Sequence, residues 1–255
     1  MTKPICLVIG AGAGIGGNVA KKFASHGYHS FLTRRSNATG LNALIKGIEN
    51  EGNKASGKIV NLMEEGSIEE LVTDIETNLG PIETAVYNLG AQIGNHTLEN
   101  TSRKAFEMGW HLGCFGLYRL AHTLIPIMKT RGAGNILVTS ATAAVRGNKG
   151  QHSHAAAMGG RRMLCQSLNA EFSSAGIHVA HIVVDGIVDA PDTVGKLLGP
   201  ESFTELREKL GGSKDGLMLP EKIAETYFHI SQQHRSVWTH ELDLRSFSDS
   251  AWWNS

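Results

Sequence analysis

Short apolar runs alternate along the chain with segments whose apolar residues recur at helical spacing. The runs lie at 5–9, 28–33, 58–60, 84–88, 135–140, 178–184 and 237–244, and the helical segments at 14–26, 41–50, 67–78, 102–129, 152–174, 202–210 and 220–232. Because the runs lack polar alternation and the first six each precede a helix, they predict parallel strands buried on both faces. The expected fold is α/β, a single doubly wound Rossmann-type domain over residues 1–255, with its ligand at the carboxyl ends of the strands.

The start of the third helical segment has the residues of a capping box. Ser67 stands before the apolar residues, and Glu70 follows three positions later. In this motif the serine hydroxyl and the acidic side chain satisfy backbone N–H groups at the helix start. The sequence therefore predicts Ser67 as the cap.

Charge and cysteine usage exclude several classes of protein. Lys plus Arg and Asp plus Glu number 24 each, so the formal charge is zero and no charge block favours a nucleic acid or an anionic membrane. No apolar stretch approaches the roughly 18 residues of a membrane span. Cys6, Cys114 and Cys165 lie far apart without a C-x-x-C motif, which argues against a disulfide framework or a zinc knuckle. We expect a cytoplasmic protein.

A glycine-rich loop follows the first predicted strand and opens the first helix. Its residues run Gly-Ala-Gly-Ala-Gly-Ile-Gly from Gly10 to Gly16. Backbone N–H groups and the positive end of the helix dipole converge at such a junction, where side chains would hold phosphates away. The loop favours dinucleotide binding, and the alternative is a Rossmann-type domain that binds another anion or nothing.

Further motifs follow in a consistent order. Gly10, Gly14 and Gly16 are spaced G-x-x-x-G-x-G, as in the short-chain dehydrogenase/reductase family, which the chain resembles over nearly all of its 255 residues. The other matching segments are Tyr87-Asn88-Leu89-Gly90 at the family's Asn-Asn-Ala-Gly, Val138-Thr139-Ser140 at its catalytic serine, Ala170-Glu171 at the end of its long helix, and Asp185-Gly186-Ile187-Val188-Asp189-Ala190 at its Pro-Gly segment. The resemblance implies an oxidoreductase that acts on a small-molecule carbonyl or alcohol.

The end of the second strand indicates the cofactor. Thr33 stands where an acidic residue would bind the ribose of NAD(H), and Arg34 and Arg35 follow. Guanidinium groups form charge-assisted contacts with a phosphate, so NADP(H) is favoured over NAD(H). The alternative is two solvated arginines. The cofactor-binding positions implied by the resemblance are Gly10, Gly14, Ile15, Gly16, Arg34, Arg35, Asn61, Leu62, Asn88, Gly90 and Ile187.

The catalytic positions depart from the family pattern. The family uses Asn, Ser, Tyr and Lys, the last two spaced Y-x-x-x-K on one helix face. By position, His154 replaces the tyrosine, Met158 the lysine and His111 the asparagine, while Ser140 is retained. The separation of Ser140 from His154 is 14 residues, one longer than is common, so Thr142 is an alternative hydroxyl.

Histidine can take over proton transfer without a lysine, because its reference pKa lies near 6.5. This hypothesis assigns Ser140, His154 and His111 to catalysis. In the alternative, His154 only fills space in a catalytically weak or inactive NADP(H)-binding protein with a sensing or subunit role. A metal held by the histidines at 111, 152 and 154 is a third hypothesis, disfavoured because no carboxylate accompanies them.

The two long helical segments are apolar on more than one face. Leu117, Leu120, Leu124 and Ile127 mark one face of the first, against Phe115 and Met128 on another. A helix that is apolar nearly all round must be buried on both sides. One side would face the sheet and the other a second copy, so we expect a homodimer or homotetramer.

Overall fold

Seven parallel strands alternate with helices in the computed structural model, which describes residues 3–90 and 96–254. The strands are β1 (Ile5–Ile9), β2 (His29–Arg34), β3 (Lys54–Ile59), β4 (Ile82–Tyr87), β5 (Gly134–Ala141), β6 (Ile177–Val184) and β7 (Glu241–Leu244). The helices are α1 (Ile15–Ser25), α2 (Ala38–Asn50), α3 (Ser67–Asn78), α4 (Arg103–Trp110), α5 (Gly116–Arg131), α6 (His152–Phe172), α7 (Lys196–Leu198), α8 (Pro200–Leu210) and α9 (Pro220–Ser231). This architecture confirms the predicted α/β fold.

The strand order, β3-β2-β1-β4-β5-β6-β7, reverses between β1 and β4. Ile9, the last residue of β1, pairs with Tyr87, the last residue of β4. Loops leave these two strands in opposite directions, which opens a crevice at the carboxyl ends where ligands bind in doubly wound folds. The predicted glycine loop and Asn88 both lie at this crevice.

Apolar side chains cover both faces of the sheet. One core packs α3, α5 and α6 against the sheet and includes Leu71, Leu120 and Cys165. The other packs α1, α2 and α9 against the opposite face and includes Phe23, Leu41 and Tyr227. Because both faces are covered, the strands need no polar alternation, as the sequence pattern indicates. Among the helices described, none is both long and apolar enough to cross a membrane.

The first long helical segment is divided where the sequence predicts continuity. α4 ends at Trp110, a π-helical turn covers His111–Phe115, and α5 continues to Arg131. Ser102 caps α4, because its hydroxyl accepts a hydrogen bond of 3.1 Å from the Ala105 N–H. The π turn widens the helix next to the carboxyl edge, a placement frequent at functional sites.

Three other element boundaries differ from the predictions. Ser67 is the first helical residue and not the cap, since Gly66 holds the cap position in a left-handed conformation and the Ser67 hydroxyl donates to the Glu64 carbonyl. β3 begins at Lys54, four residues before the predicted run, since its small and charged residues give no apolar signal. β7 covers only Glu241–Leu244, because Arg235–Val237 forms a 3-10 turn.

Candidate functional site

The loop between β1 and α1 has a backbone shape that requires glycine. Gly10 has a φ of +91°, and a Cβ there would stand 2.8 Å from the Asn88 carbonyl oxygen. A Cβ on Gly16 would overlap the Gly10 carbonyl oxygen, and one on Gly14 would stand 3.1 Å from Ala190 Cβ. The three glycines therefore let the loop, the end of β4 and the segment after β6 approach one another closely.

Unsatisfied donors collect at the start of α1. Within the described residues, the backbone N–H groups of 13–16, Ile15 included, have no hydrogen-bond acceptor. A cavity of about 570 Å³ lies beside them, and Gly10, Gly12, Arg34, Asn88 and Asp192 are among its lining residues. The donors and the positive end of the helix dipole suit a pyrophosphate group, so the loop fits a dinucleotide.

Arg34 and Arg35 lie at the rim of this cavity. The Arg34 Nε donates a 2.7 Å hydrogen bond to the Ala11 carbonyl, which fixes the guanidinium against the glycine loop. Partial burial lowers the pKa of Arg34, and the Asp192 carboxylate opposes this effect. Arg35 is exposed. No ion pair to either arginine is found within the described residues, which leaves both cations available to an anionic ligand.

A second cavity, of about 380 Å³, continues from the first. Leu62, Leu89 and Gly90 contribute to its wall, together with both arginines. Asn61 lies in the chain between the lining residues Val60 and Leu62. Its side-chain amide donates to Glu64, and its side-chain oxygen accepts from the Met63 N–H. An apolar wall next to a polar rim suits a flat base ring.

Asn88 joins the glycine loop to β5 through its side chain. Its Nδ2 donates to the Gly10 carbonyl at 2.9 Å, and its Oδ1 accepts from the Thr139 hydroxyl at 2.8 Å. The Thr139 hydroxyl is also 2.7 Å from the hydroxyl of Tyr227, a buried residue of α9. This chain of hydrogen bonds fixes the ends of β1, β4 and β5 relative to one another.

Ser140 lies against Met158 of α6. Its hydroxyl is 3.9 Å from the Met158 sulfur, and both side chains are buried. His154 lies one turn before Met158 on α6 and is half-buried. Residues four apart on a helix share a face, so His154 lies on the face of α6 that carries Met158, the residue in contact with Ser140. Thr142 begins the short turn that follows β5.

His111 begins the π turn and has an exposed side chain. Its ring contacts Phe115 edge-on, with 5.3 Å between the ring centroids. The parallel rings of His152 and Phe106 are 6.5 Å apart. Within residues 3–90 and 96–254, no group of three or more His, Cys, Asp or Glu side chains is arranged to hold a metal.

The segment after β6 closes over the glycine loop. The Ile187 carbonyl accepts from the Met218 N–H at 2.9 Å, and a Cβ on Gly12 would stand 3.7 Å from the Thr193 methyl group. Asp185 binds Arg245 at 2.9 Å and accepts from the Trp252 N–H, which attaches the C-terminal segment to the same edge. The segment after β6 therefore borders the cavity through Asp192, Thr193 and Lys196.

Sequence reasoning missed Arg161, which is 1% exposed beneath this edge of the sheet. Its guanidinium donates to backbone carbonyls of Leu89 in the loop after β4, of Thr139 in β5 and of Gly113 in the π turn. The sequence offers one signal for it. Arg161 follows His154 by seven positions, and residues at this spacing lie on the same helix face, here the face that meets the sheet.

Comparisons with known proteins agree with this geometry. The short chain dehydrogenase family model matches residues 4–197. The chain is 27% identical to the 3-oxoacyl-(acyl-carrier-protein) reductase of Haemophilus influenzae over 190 residues, 74% of this chain and 75% of the relative. It is 31% identical to a fatty acyl-CoA reductase of Acinetobacter baylyi over 134 residues, 52% of this chain but only 45% of that longer relative.

A solved structure shows the same fold. It is a metagenomic short-chain oxidoreductase in complex with NADP, with a TM-score of 0.78 and 20% sequence identity. The match covers 96% of this chain and 98% of that one.

Proposed function

Because the chain belongs to the short-chain dehydrogenase family of oxidoreductases, we propose that it transfers a hydride between NADP(H) and a small carbonyl or alcohol substrate. The observation that carries this proposal is the glycine loop with free N–H donors and Arg34 fixed at its rim. The loop would hold the pyrophosphate, and Arg34 with Arg35 would hold the 2′-phosphate. Asn61, Leu62 and Gly90 would contact the base side of the nucleotide, and Ile187 the nicotinamide side.

Proton transfer falls to His154 in this proposal. NADPH, when bound, would supply the hydride to the carbonyl carbon. As the carbon–oxygen π pair moves to oxygen, the protonated His154 ring donates its proton there, and the Ser140 hydroxyl donates a hydrogen bond to the same oxygen. The neutral His154 then recovers a proton from solvent, which His111 would pass on through water. Met158 takes no part, since a thioether carries no proton.

A second candidate function is an NADP(H)-binding protein without turnover. Met158 in the lysine position favours it, because its sulfur contacts the Ser140 hydroxyl that would otherwise face the substrate. In this alternative the nucleotide acts as a sensed ligand, or the protein serves as a subunit of a larger assembly. The nucleotide would make the same contacts with the glycine loop and Arg34 in both candidate functions.

Two measurements on one preparation separate the candidates. NADPH binding is followed by fluorescence, and a panel of aldehydes and ketones is followed by NADPH oxidation. Binding with turnover supports the oxidoreductase, binding without turnover on a broad panel supports the sensing role, and no binding contradicts both. We also propose a reducing, cytoplasmic location, because Cys6, Cys114 and Cys165 are all free and buried.

A further inference from the structure

Arg161 occupies the space between three segments that form the candidate site. Its Nε donates to the Gly113 carbonyl and its Nη1 to the Thr139 carbonyl, each at 2.5 Å. Its Nη2 donates to the Leu89 carbonyl at 2.9 Å and, more weakly, to the Leu112 carbonyl at 3.5 Å. One planar guanidinium thus joins the loop after β4, the π turn and β5.

The charge of Arg161 has no acidic partner among the residues that the structure describes. Its polar contacts are backbone carbonyls, and its guanidinium carbon lies 5.1 Å from the centre of the Tyr87 ring. Buried arginines are usually paired with carboxylates, because an unpaired buried charge is costly. The buried positive charge of Arg161 is therefore stabilised by backbone carbonyl dipoles and the Tyr87 ring, without a carboxylate. It lies directly behind Thr139, which precedes Ser140 in the chain.

The position of Arg161 on α6 connects it with the lost lysine. Met158 and Arg161 are three residues apart and lie on the same helix face, about 4.5 Å along the axis. Both are buried, at 1% exposure each. The helix therefore lacks a cation at the first position and has one a turn later, facing the same edge of the sheet.

We propose that Arg161 is a positioning residue whose buried charge replaces, from beneath the sheet edge, the cation absent at Met158. Its hydrogen bonds hold the backbone of Leu89 next to Asn88, of Thr139 next to Ser140, and of the π turn that begins at His111. Its positive charge stabilises the negative charge that develops on the substrate oxygen as hydride arrives. This role rests on the proposed function, since it needs a reacting oxygen beside Ser140.

The test compares Arg161→Lys with Arg161→Gln. Both replacements keep N–H donors for the carbonyls, but only lysine keeps the charge. Arg162→Gln is the matched control, because the adjacent Arg162 binds Glu241 of β7 at 2.7 Å and contacts none of the three site segments in the described structure. Circular dichroism first establishes that each variant is folded.

Two readouts follow on each folded protein. One is kcat for the carbonyl substrate, measured together with the Kd for NADPH. The other needs no turnover: benzoate serves as a probe with an anionic oxygen, and its Kd for the complex with NADP⁺ is measured by fluorescence. We expect Arg161→Gln to lower kcat and to weaken benzoate binding at least tenfold, with the Kd for NADPH within twofold. Arg161→Lys and Arg162→Gln should stay within about threefold in both readouts.

Equal kcat values and equal benzoate Kd values for Arg161→Gln and Arg161→Lys would overturn the proposal. An effect confined to NADPH binding would also overturn it. If Arg161→Gln does not fold, Arg161→Lys becomes the deciding variant. Values of kcat and of the benzoate Kd close to those of the parent would support the role of the positive charge. A hundredfold loss of kcat or of benzoate affinity in folded Arg161→Lys would contradict it. If the parent shows no turnover, the proposed function fails while the benzoate readout still tests Arg161. A parent that binds no NADP⁺ contradicts both.

Discussion

Arg34 is the residue on which the cofactor preference depends. It is fixed by its bond to Ala11, whereas Arg35 is exposed, so Arg34 is the better placed of the two to hold a phosphate. We predict that Arg34→Asp weakens NADPH binding by about 1.5–3 kcal/mol, through loss of a charge-assisted contact. NADH binding, the internal control, should weaken much less. Fluorescence titration measures both, and equal weakening of the two cofactors would refute the assignment.

His181 should make stability depend on pH. Its ring is buried, with Nδ1 3.0 Å from a Glu241 carboxylate oxygen, and burial lowers its pKa from 6.5 to about 4. Between these values the unfolded chain binds a proton at His181 and the folded chain does not. The free energy of unfolding should therefore fall as pH drops from 6.5 to 4, by at most about 1.4 kcal/mol per pH unit from this group.

The check is denaturant unfolding of the parent, His181→Gln and the exposed-site control His234→Gln at several pH values. His181→Gln should show a smaller pH slope than the other two. Identical slopes in all three proteins would mean that His181 does not contribute.

At the scale of elements, Ser102 and Ser67 offer a direct comparison. Ser102 caps α4, whereas the Ser67 hydroxyl donates to a carbonyl outside α3. We predict that Ser102→Ala lowers the free energy of unfolding by about 1 kcal/mol, the usual cost of a lost cap. Ser67→Ala should cost clearly less in the same denaturation experiment, and a larger loss for Ser67→Ala would favour the capping box that the sequence indicates.

The sequence predicts the strands inside the sheet well and the strand at the edge of the sheet poorly. β1 is apolar throughout, and β6 is apolar apart from His178 and His181, so the apolar pattern identifies both strands. β3 lies at the edge of the sheet and contains Lys54, Gly57 and Lys58, so its pairing comes from hydrogen bonds to β2 that no hydrophobic pattern reveals. The π turn is equally hidden, because its residues have ordinary helical spacing.

The candidate site likewise has features that the sequence predicts and features that it does not. Its glycines could be predicted, since close backbone contacts leave no room for a side chain. The contact between Ser140 and Met158 depends on how α6 packs against β5, and so does the position of Arg161 among four backbone carbonyls. Such contacts arise from the tertiary fold and have no local sequence signal.

At the scale of the whole molecule, α5 and α6 leave apolar surface uncovered. Leu117, Leu120, Leu124 and Met128 belong to the core, so the exposed apolar side chains are others. Phe115, Tyr118 and Met163 are each 40% to 50% exposed, and the first two rings stack at 5.9 Å. We propose that this surface joins two copies of the chain in a homodimer or homotetramer.

Light scattering tests this assembly. The parent should be at least a dimer at micromolar concentration, and Tyr118→Asp should shift it toward the monomer by placing an unpaired charge in an apolar contact. Val237→Asp is the control, because Val237 is 67% exposed but lies in the turn before β7. A monomeric parent would contradict the proposed interface.

The central claim, reduction of a carbonyl by NADPH with His154 as proton donor, is tested most directly by His154→Phe. His152→Phe is the matched control, two residues earlier on α6. We expect His154→Phe to leave the Kd for NADPH unchanged and to reduce kcat about a hundredfold or more, the scale of a lost general acid. In the parent, kcat should decline as pH rises and the donor loses its proton, and His154→Phe should lose this decline. Parent-level turnover by His154→Phe, with an unchanged pH profile, would contradict a role of His154 as proton donor.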